Sequence, residues 1–175
     1  GLDFCSKLAK INRGKSDQKY PIFLLYNKSN IPDRKQNLNK YNKVLKALVL
    51  GCNFLQKNKC KFISIPCNTA HYWYDDLKAI IKIPILNMPK IVFGNASKNC
   101  KRGSKIGLLA TDTTISTGIY DKFFSKRYNL ISPPKKLQIT SVNKSIRLVK
   151  MGKTREAEKS IKPAVNYLLK MKCKK

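Results

Sequence analysis

The sequence predicts an α/β fold with parallel sheets. Short apolar runs of strand length alternate with longer stretches of helical apolar spacing, and the connections between them are short. With 175 residues and a hydrophobic share of 42%, the chain is long enough for one full domain or for two small domains that share a cleft. Ligands of such folds bind where the parallel strands end, so the strand ends are the first candidates for function.

The first half of the chain alternates helices and strands in this way. Residues 21–27 (PIFLLYN) form a continuous apolar run that starts at a proline, which predicts a buried strand. From 38 to 59 apolar side chains recur at helical intervals, which predicts a helix despite several β-branched residues. The predicted order is helix 2–12, strand 21–27, helix 38–59, strand 61–66, helix 70–81 and strand 83–88.

A polar stretch without periodicity, residues 95–104 (NASKNCKRGS), marks a predicted boundary. We therefore divide the chain into an N-terminal α/β domain, residues 1–97, and a second α/β domain, residues 98–175. The predicted elements after the boundary are strand 105–111, helix 114–127, strand 128–134 and helices 141–150 and 153–172.

The chain is strongly basic, with 37 lysine and arginine residues, 9 acidic residues and a formal net charge of +28. Such a charge suggests a polyanionic partner. However, only six of the basic residues are arginine, and lysine, asparagine and isoleucine are the residues that an AT-rich genome overproduces. Because no basic block alternates with aromatic residues, we expect weak, salt-sensitive binding to polyanions and no specific nucleic-acid partner.

The cysteine and histidine content argues against a metal site. Six cysteines are scattered without a CxxC pair, and His71 is the only histidine, so we expect reduced thiols and no bound metal. No apolar stretch approaches the roughly 20 residues that cross a bilayer, and no signal-peptide pattern is present. We therefore expect a cytoplasmic protein without a membrane partner.

Cys67 lies between a predicted strand and a predicted helix. The free N–H groups at a helix start favour a thiolate, and Asn68 and Thr69 are suitable N-cap residues. Cys67 could therefore be a nucleophile, an acid–base thiol for a carbon acid, or a small buried residue. His71 follows four residues later, where local geometry does not direct its ring at the thiol, so we expect a helix-surface histidine.

Other polar residues also follow predicted strands. Asn27 ends the first strand and Arg34 comes soon after it; arginine binds carboxylates through a bidentate fork. In the second domain an apolar run leads through small polar residues into a helix with aromatics, as it does around Cys67. Two such elements facing one another would bring Cys67 and the stretch from Thr111 to Thr114 to one cleft.

Three motifs carry a resemblance to a known family. YNKSNIPDR, PCNTAHYWYDDL followed by IPILNM, and GLLATDTTISTGIY are similar in order and spacing to the cofactor-independent aspartate/glutamate racemases, and the first two look most like the aspartate racemase branch. The resemblance covers nearly the whole chain. It implies two similar domains with parallel sheets, related by pseudo-twofold symmetry, and an amino-acid substrate in the cleft between them. It also implies two thiols on opposite faces of the substrate Cα, no cofactor, and commonly a homodimer.

The resemblance assigns roles to individual positions. Cys67 matches the first of the two bases, which removes the α-proton. Arg34 is the candidate for the side-chain carboxylate, the group that separates aspartate from other amino acids, and Thr111 and Thr114 match contacts to the α-carboxylate. The substrate-binding set that the resemblance implies is Asn27, Arg34, Asn68, Thr69, Thr111, Thr114 and Lys150.

The chain departs from the family pattern at both ends. The family begins with a strand and a glycine-rich turn, whereas Gly1 falls inside or just after that turn, and the GCTE motif that holds the second cysteine is absent. Cys173 lies at a charged helix end and is a poor substitute, and Thr113 stands where the family usually has glycine. We therefore expect a fragment with an incomplete second domain and little racemisation, with aspartate as the first candidate substrate and glutamate as the second. The alternatives are a decayed non-catalytic relative and a basic nucleic-acid-associated protein.

Overall fold

The computed structural model describes residues 1–33 and 41–174. The chain forms two compact units, Gly1–Met88 and Pro89–Lys175. The unit boundary lies at the start of a helix, Met88–Asn99, whereas the sequence places the domain boundary after residue 97, in the last turn of the same helix. The polar stretch that begins at residue 95 therefore first completes this helix, because a solvent-facing last turn accommodates polar side chains.

Two helices of the first unit match helices that the apolar spacing predicts: α1 (Leu2–Ile11) and α2 (Tyr41–Lys57). In α2, Val44, Leu48 and Cys52 recur four residues apart, and all three are buried. Among its described residues this unit also has a 3₁₀ turn at Asp17–Lys19, a 3₁₀ helix at Thr69–Trp73 and α3 (Tyr74–Ile80).

The core of the first unit is packed around Trp73. Trp73 and Leu77 are fully buried and belong to one cluster with Val44 of α2 and with Ile63 and Ile85 from the extended segments. Burying a side chain of this kind contributes about 1.5–3 kcal/mol. The cluster therefore holds α3 and the two extended segments against α2.

The strands of the first unit are much shorter than the predicted ones. The last two apolar runs meet in one isolated parallel bridge between Ile63 and Ile85. Ile63 donates its N–H to the Pro84 carbonyl, and Leu86 donates its N–H to the Ile63 carbonyl, each at 2.8 Å. Pro84 has no N–H to donate, so the pairing cannot extend toward Lys61. At the other end the Met88 N–H donates to His71, and the Ile65 carbonyl accepts from Cys67.

The segment 21–27 does not form a buried strand, so that prediction is wrong. Residues 22–24 are exposed, and no backbone pairing of the segment occurs within the described residues. A strand needs the N–H and C=O groups of a neighbour, and an apolar run does not itself provide them. Only the end of the segment packs: the Tyr26 ring lies 5.2 Å from the Phe54 ring of α2, measured between ring centroids.

Two short parallel strands form the sheet of the second unit. β1 (Lys105–Gly107) pairs with β2 (Asn129–Ile131), and Lys174 adds a parallel bridge to Ile106. Parallel pairing among helices confirms the predicted α/β class. In chain order the helices are α4 (Met88–Asn99), α5 (Asp112–Ser116), α6 (Asp121–Phe124), α7 (Lys135–Leu137), a π-helix (Gln138–Asn143), α8 (Lys144–Lys150) and α9 (Thr154–Lys170).

The predicted helix 114–127 is broken into α5 and α6. The break contains Gly118, whose φ of +61° lies in the left-handed region, where glycine has no steric penalty. The sequence reading of one continuous helix is therefore corrected at this glycine.

An aromatic cluster forms a core of the second unit. The rings of Phe93 and Phe124 meet edge to face with centroids 5.3 Å apart, and Phe93 and Tyr128 lie 6.1 Å apart. The Tyr128 hydroxyl donates to the carbonyls of Ala96 (3.2 Å) and Cys100 (3.1 Å). These contacts fix the start of β2 against the last turn of α4.

Candidate active site

Cys67 lies at a tight turn that follows the Ile63 bridge. Its N–H donates to the Ile65 carbonyl at 2.8 Å, which closes a three-residue turn. The 3₁₀ helix Thr69–Trp73 begins two residues later. The Cys67 side chain is partly exposed and packs against the core of the first unit. Cys67 is thus partly buried against the core and partly open to solvent.

Asn68 does not cap the helix that follows, contrary to the sequence prediction. Its backbone is already helical, with φ −54° and ψ −55°, and its side chain makes no capping hydrogen bond. An N-cap residue requires an extended backbone to turn its oxygen onto the free N–H groups. Asn68 is exposed, whereas the neighbouring Thr69 is buried.

His71 is buried, not on a helix surface, so that expectation is also wrong. Its Nδ1 lies 2.9 Å from the Cys67 carbonyl oxygen, and its Nε2 lies 3.2 Å from the Met88 backbone nitrogen. Nε2 also lies 3.4 Å from the Leu86 carbonyl oxygen, a longer contact that would require a proton on Nε2. A backbone N–H can only donate, so the shorter contact with Met88 makes Nε2 an acceptor, which carries no proton in a neutral ring. Nδ1 therefore carries the proton and donates it to the Cys67 carbonyl.

This tautomer determines what His71 can do. Both ring nitrogens are occupied by the backbone, and the nitrogen closer to Cys67 bonds to its carbonyl rather than to its sulfur. His71 is therefore a residue that holds the backbone of the turn and not the general base of a thiol–histidine pair.

Thr111 and Thr114 meet at the start of α5. Thr111 has an extended backbone, and its hydroxyl oxygen accepts from the Thr114 N–H at 3.2 Å, so Thr111 caps the helix. The two hydroxyl oxygens lie 3.0 Å apart. Thr113, which stands where the resembling family has glycine, is buried within α5 without a left-handed backbone.

Two polar residues near this turn were not singled out from the sequence. Gln138 donates from Nε2 to the Ala110 carbonyl at 2.9 Å, and Asn143 donates from Nδ2 to Asp112 Oδ2 at 2.8 Å. They lie at the two ends of the π-helix, a form that apolar spacing does not reveal. In the sequence, the one feature that could have pointed to these two residues is their spacing, because two amide side chains lie five positions apart.

Two further predicted site residues lie on exposed positions. Asn27 is exposed at the end of the segment 21–27, and Lys150 is exposed as the last residue of α8. Arg34 lies outside the described residues. Cys67, Asn27, Asn68 and Thr69 thus belong to the first unit, and Thr111, Thr114 and Lys150 belong to the second.

Two other cysteines differ from Cys67 in their surroundings. Burial raises the pKa of the Cys52 thiol to about 11, so it stays protonated at neutral pH. Desolvation also raises the pKa of Cys173, and the nearby Lys105 ammonium lowers it in part. Cys173 follows α9 and packs beside Gly107 of β1.

Two further functions find no support in the described part of the chain. No group of three or more histidine, cysteine, aspartate and glutamate side chains comes together there to hold a metal ion. Among the same residues, no helix combines the length and the apolar character that crossing a membrane requires.

Comparison with known proteins gives the family. A sequence model of the family described as Asp/Glu/Hydantoin racemase matches residues 1–175. The chain is 27% identical over 121 residues to the broad specificity amino-acid racemase RacX of Bacillus subtilis, covering 69% of this chain and 50% of that protein. It is 30% identical over 117 residues to a glutamate racemase of Streptococcus equi, and the match covers 65% of this chain and 40% of that protein. The chain thus spans about half the length or less of these curated relatives.

Solved structures similar to this chain also include aspartate racemases. The aspartate racemase of Picrophilus torridus superposes with a TM-score of 0.83 at 27% identity, covering 97% of this chain and 71% of that one. An aspartate racemase homologue of Pyrococcus horikoshii shares the fold, with a TM-score of 0.76 at 21% identity and coverage of 97% and 75%. The family match over the full sequence, together with these structures, shows that the chain belongs to the Asp/Glu/Hydantoin racemase family.

Proposed function

We propose that this chain acts in the cofactor-independent racemisation of an amino acid, with the Cys67 thiolate removing the α-proton. The observation that carries the proposal is the setting of Cys67, a partly exposed thiol at a turn whose carbonyl is held by the buried His71. Family membership supports the same reaction class. Thiolate sulfur is weakly solvated, which favours proton transfer from carbon.

In the proposed reaction the Cα–H bond breaks, the proton passes to the Cys67 sulfur, and the electron pair moves toward the α-carboxylate. Negative charge then grows on the carboxylate oxygens, where the Thr111–Thr114 hydroxyl pair would stabilise it: one hydroxyl donates to the other, and the second donates to the carboxylate. If Cys67 returns the proton, the starting enantiomer is restored. If a second acid delivers a proton from the opposite face, the centre inverts.

We also propose that residues 1–175 exchange the α-hydrogen more readily than they invert the centre. Inversion needs a second acid–base group on the other face of Cα. Cys173 is a weak candidate, because it follows a helix end beside β1 and lacks the small polar neighbours that surround Cys67. The GCTE motif expected to carry the second thiol does not occur in the sequence.

Aspartate is the first substrate to test and glutamate the second. A structure named as an aspartate racemase resembles this chain over 97% of its length, and a curated relative is named a glutamate racemase. Arg34 is proposed to bind the side-chain carboxylate through its guanidinium fork. Asn27, Asn68, Thr69 and Lys150 are proposed as further substrate contacts. The family resemblance also predicts a homodimer, which sedimentation equilibrium would test.

The test is α-hydrogen exchange in D₂O with L-aspartate and, separately, D-aspartate, followed by NMR, with enantiomer content measured by chiral chromatography. Cys67→Ala is the key variant. Cys60→Ala is the matched control, because Cys60 is also partly buried in the first unit but lies away from the turn. We expect exchange of one enantiomer that disappears in Cys67→Ala and persists in Cys60→Ala.

Each outcome decides one part of the proposal. Interconversion of both enantiomers would show that a second acid is present and that the proposed impairment is wrong. Exchange that persists in Cys67→Ala would reject Cys67 as the base. Absence of exchange with measurable aspartate binding would favour a non-catalytic relative, whereas salt-sensitive binding of nucleic acid alone would favour the polyanion alternative.

A further inference from the structure

The π-helix Gln138–Asn143 brings two amide side chains together. In an α-helix, residues five apart point about 140° away from each other, because each turn takes 3.6 residues. In a π-helix the backbone bond runs from residue i to i+5, so residues five apart lie one above the other. Gln138 and Asn143 have this spacing, and Gln138 Nε2 lies 3.1 Å from Asn143 Oδ1.

The direction of each hydrogen bond follows from the acceptors. The Ala110 carbonyl can only accept, so the Gln138 atom 2.9 Å away must be its amide nitrogen. The same nitrogen donates to Asn143 Oδ1, which turns the Asn143 amide nitrogen toward Asp112 Oδ2 at 2.8 Å. The three hydrogen bonds therefore form a chain from Gln138 through Asn143 to the Asp112 carboxylate. They hold the backbone at Ala110 and the side chain of Asp112, the two neighbours of Thr111.

We propose that Gln138 and Asn143 are positioning residues that hold the Thr111–Thr114 turn for the substrate carboxylate. The inference rests on the proposed function, which assigns that carboxylate to the two threonines. Gln138 is buried, and its Oε1 has no hydrogen-bond partner within the described residues. Burying an oxygen without a hydrogen bond lowers the stability of the fold, and an apolar side chain at this position would not have that cost. We therefore assign the role of Gln138 to the two hydrogen bonds that its amide nitrogen donates, to Ala110 and to Asn143.

Ser141 provides a matched control on the same π-helix. It is as deeply buried as Gln138, but its hydroxyl donates to the Ser160 carbonyl of α9 and does not touch the threonine turn. Ser141→Ala therefore removes a buried hydrogen bond from this helix without loosening Ala110 or Asp112. Gln138→Met keeps the side-chain length and removes both donors. Asn143→Ala removes the bond to Asp112 and the bond from Gln138 but keeps the bond from Gln138 to Ala110, so it is the milder second variant.

The experiment measures kcat and KM for Cys67-dependent α-hydrogen exchange of aspartate, with the melting temperature of each variant. We expect Gln138→Met and Asn143→Ala to raise KM about tenfold, or to lower kcat/KM by that factor, while Ser141→Ala lowers the melting temperature and leaves KM within about twofold. We also expect amide hydrogen exchange at Thr114 and Ile115 to accelerate in Gln138→Met but not in Ser141→Ala.

The failures are distinguishable. If the wild-type chain shows no Cys67-dependent exchange, the proposed function fails and this inference fails with it. If the wild-type chain is active and both amide variants keep its kcat and KM while folded, only the inference is overturned. An equal rise of KM in Ser141→Ala would also overturn it, because the effect would then follow from general loosening of the π-helix. If Gln138→Met does not fold, Asn143→Ala decides the question alone.

Discussion

Substitution can separate the two hydrogen bonds of His71. Asparagine places an amide nitrogen close to the position of Nδ1, so His71→Asn keeps a donor for the Cys67 carbonyl and loses the acceptor for Met88. Glutamine places an amide oxygen close to the position of Nε2, so His71→Gln keeps the acceptor and loses the donor. His71→Ala loses both bonds.

The expected magnitudes follow from the burial of these groups. His71 is 7% exposed, so a carbonyl or N–H that loses it as a partner is left unsatisfied, at about 1–3 kcal/mol each. The free energy of unfolding should therefore fall by about 1–3 kcal/mol in His71→Asn and His71→Gln, and by about 2–6 kcal/mol in His71→Ala. If the bond to the Cys67 carbonyl sets the position of the thiol, α-hydrogen exchange survives in His71→Asn and falls at least about tenfold in His71→Gln.

Urea unfolding followed by the fluorescence of the buried Trp73 measures stability, and exchange of aspartate in D₂O measures activity. Tyr72→Phe is the control: Tyr72 is a partly exposed neighbour in the same 3₁₀ helix, and the change keeps its ring against Trp73. It should alter neither quantity. Equal exchange rates in the asparagine and glutamine variants, at equal stability, would refute the reasoning and leave His71 with a role in folding alone.

Two further predictions concern the first unit. Leu77 is fully buried, so Leu77→Ala should lower the free energy of unfolding in urea by about 2–5 kcal/mol, whereas Ile80→Ala on the exposed side of α3 should cost less than about 1 kcal/mol; equal losses would contradict the core assignment. Burial raises the pKa of Cys52 from 9.0 to about 11, so its contribution to stability is complete below pH 9 and is lost as the pH rises toward 11. Cys52→Ala should flatten the fall of unfolding free energy over this range, and an unchanged slope would show that Cys52 does not titrate as described.

The helices could be predicted from sequence more completely than the strands. The spacing of Val44, Leu48 and Cys52 predicts the buried face of α2. This is possible because a helix satisfies its own backbone hydrogen bonds and needs only one apolar face to pack. A strand needs a partner, and periodicity carries no information on how far pairing extends. The run that starts at Lys105 is apolar to Ala110, yet β1 ends at Gly107.

The candidate site likewise contains residues that the sequence predicts and residues that it does not. The turn at Cys67 and the threonine pair could be placed because each follows an apolar run that ends in small polar residues. The role of His71 could not be predicted, because one of its partners, Met88, lies 17 residues away in sequence. The role of Gln138 could not be predicted either, because its contact with Ala110 joins residues 28 positions apart in sequence and depends on the π-helix.

The exposed apolar side chains of residues 22–24 have a consequence for handling the protein in solution. Exposed apolar side chains next to backbone groups without pairing among the described residues favour self-association, and a net charge of +28 opposes the close approach of two copies. That repulsion is screened as the Debye length falls from about 30 Å at 0.01 M salt to about 3 Å at 1 M. The colloidal stability of this protein is therefore set by ionic strength, and buffers of low salt keep its copies apart while concentrated salt removes their electrostatic protection.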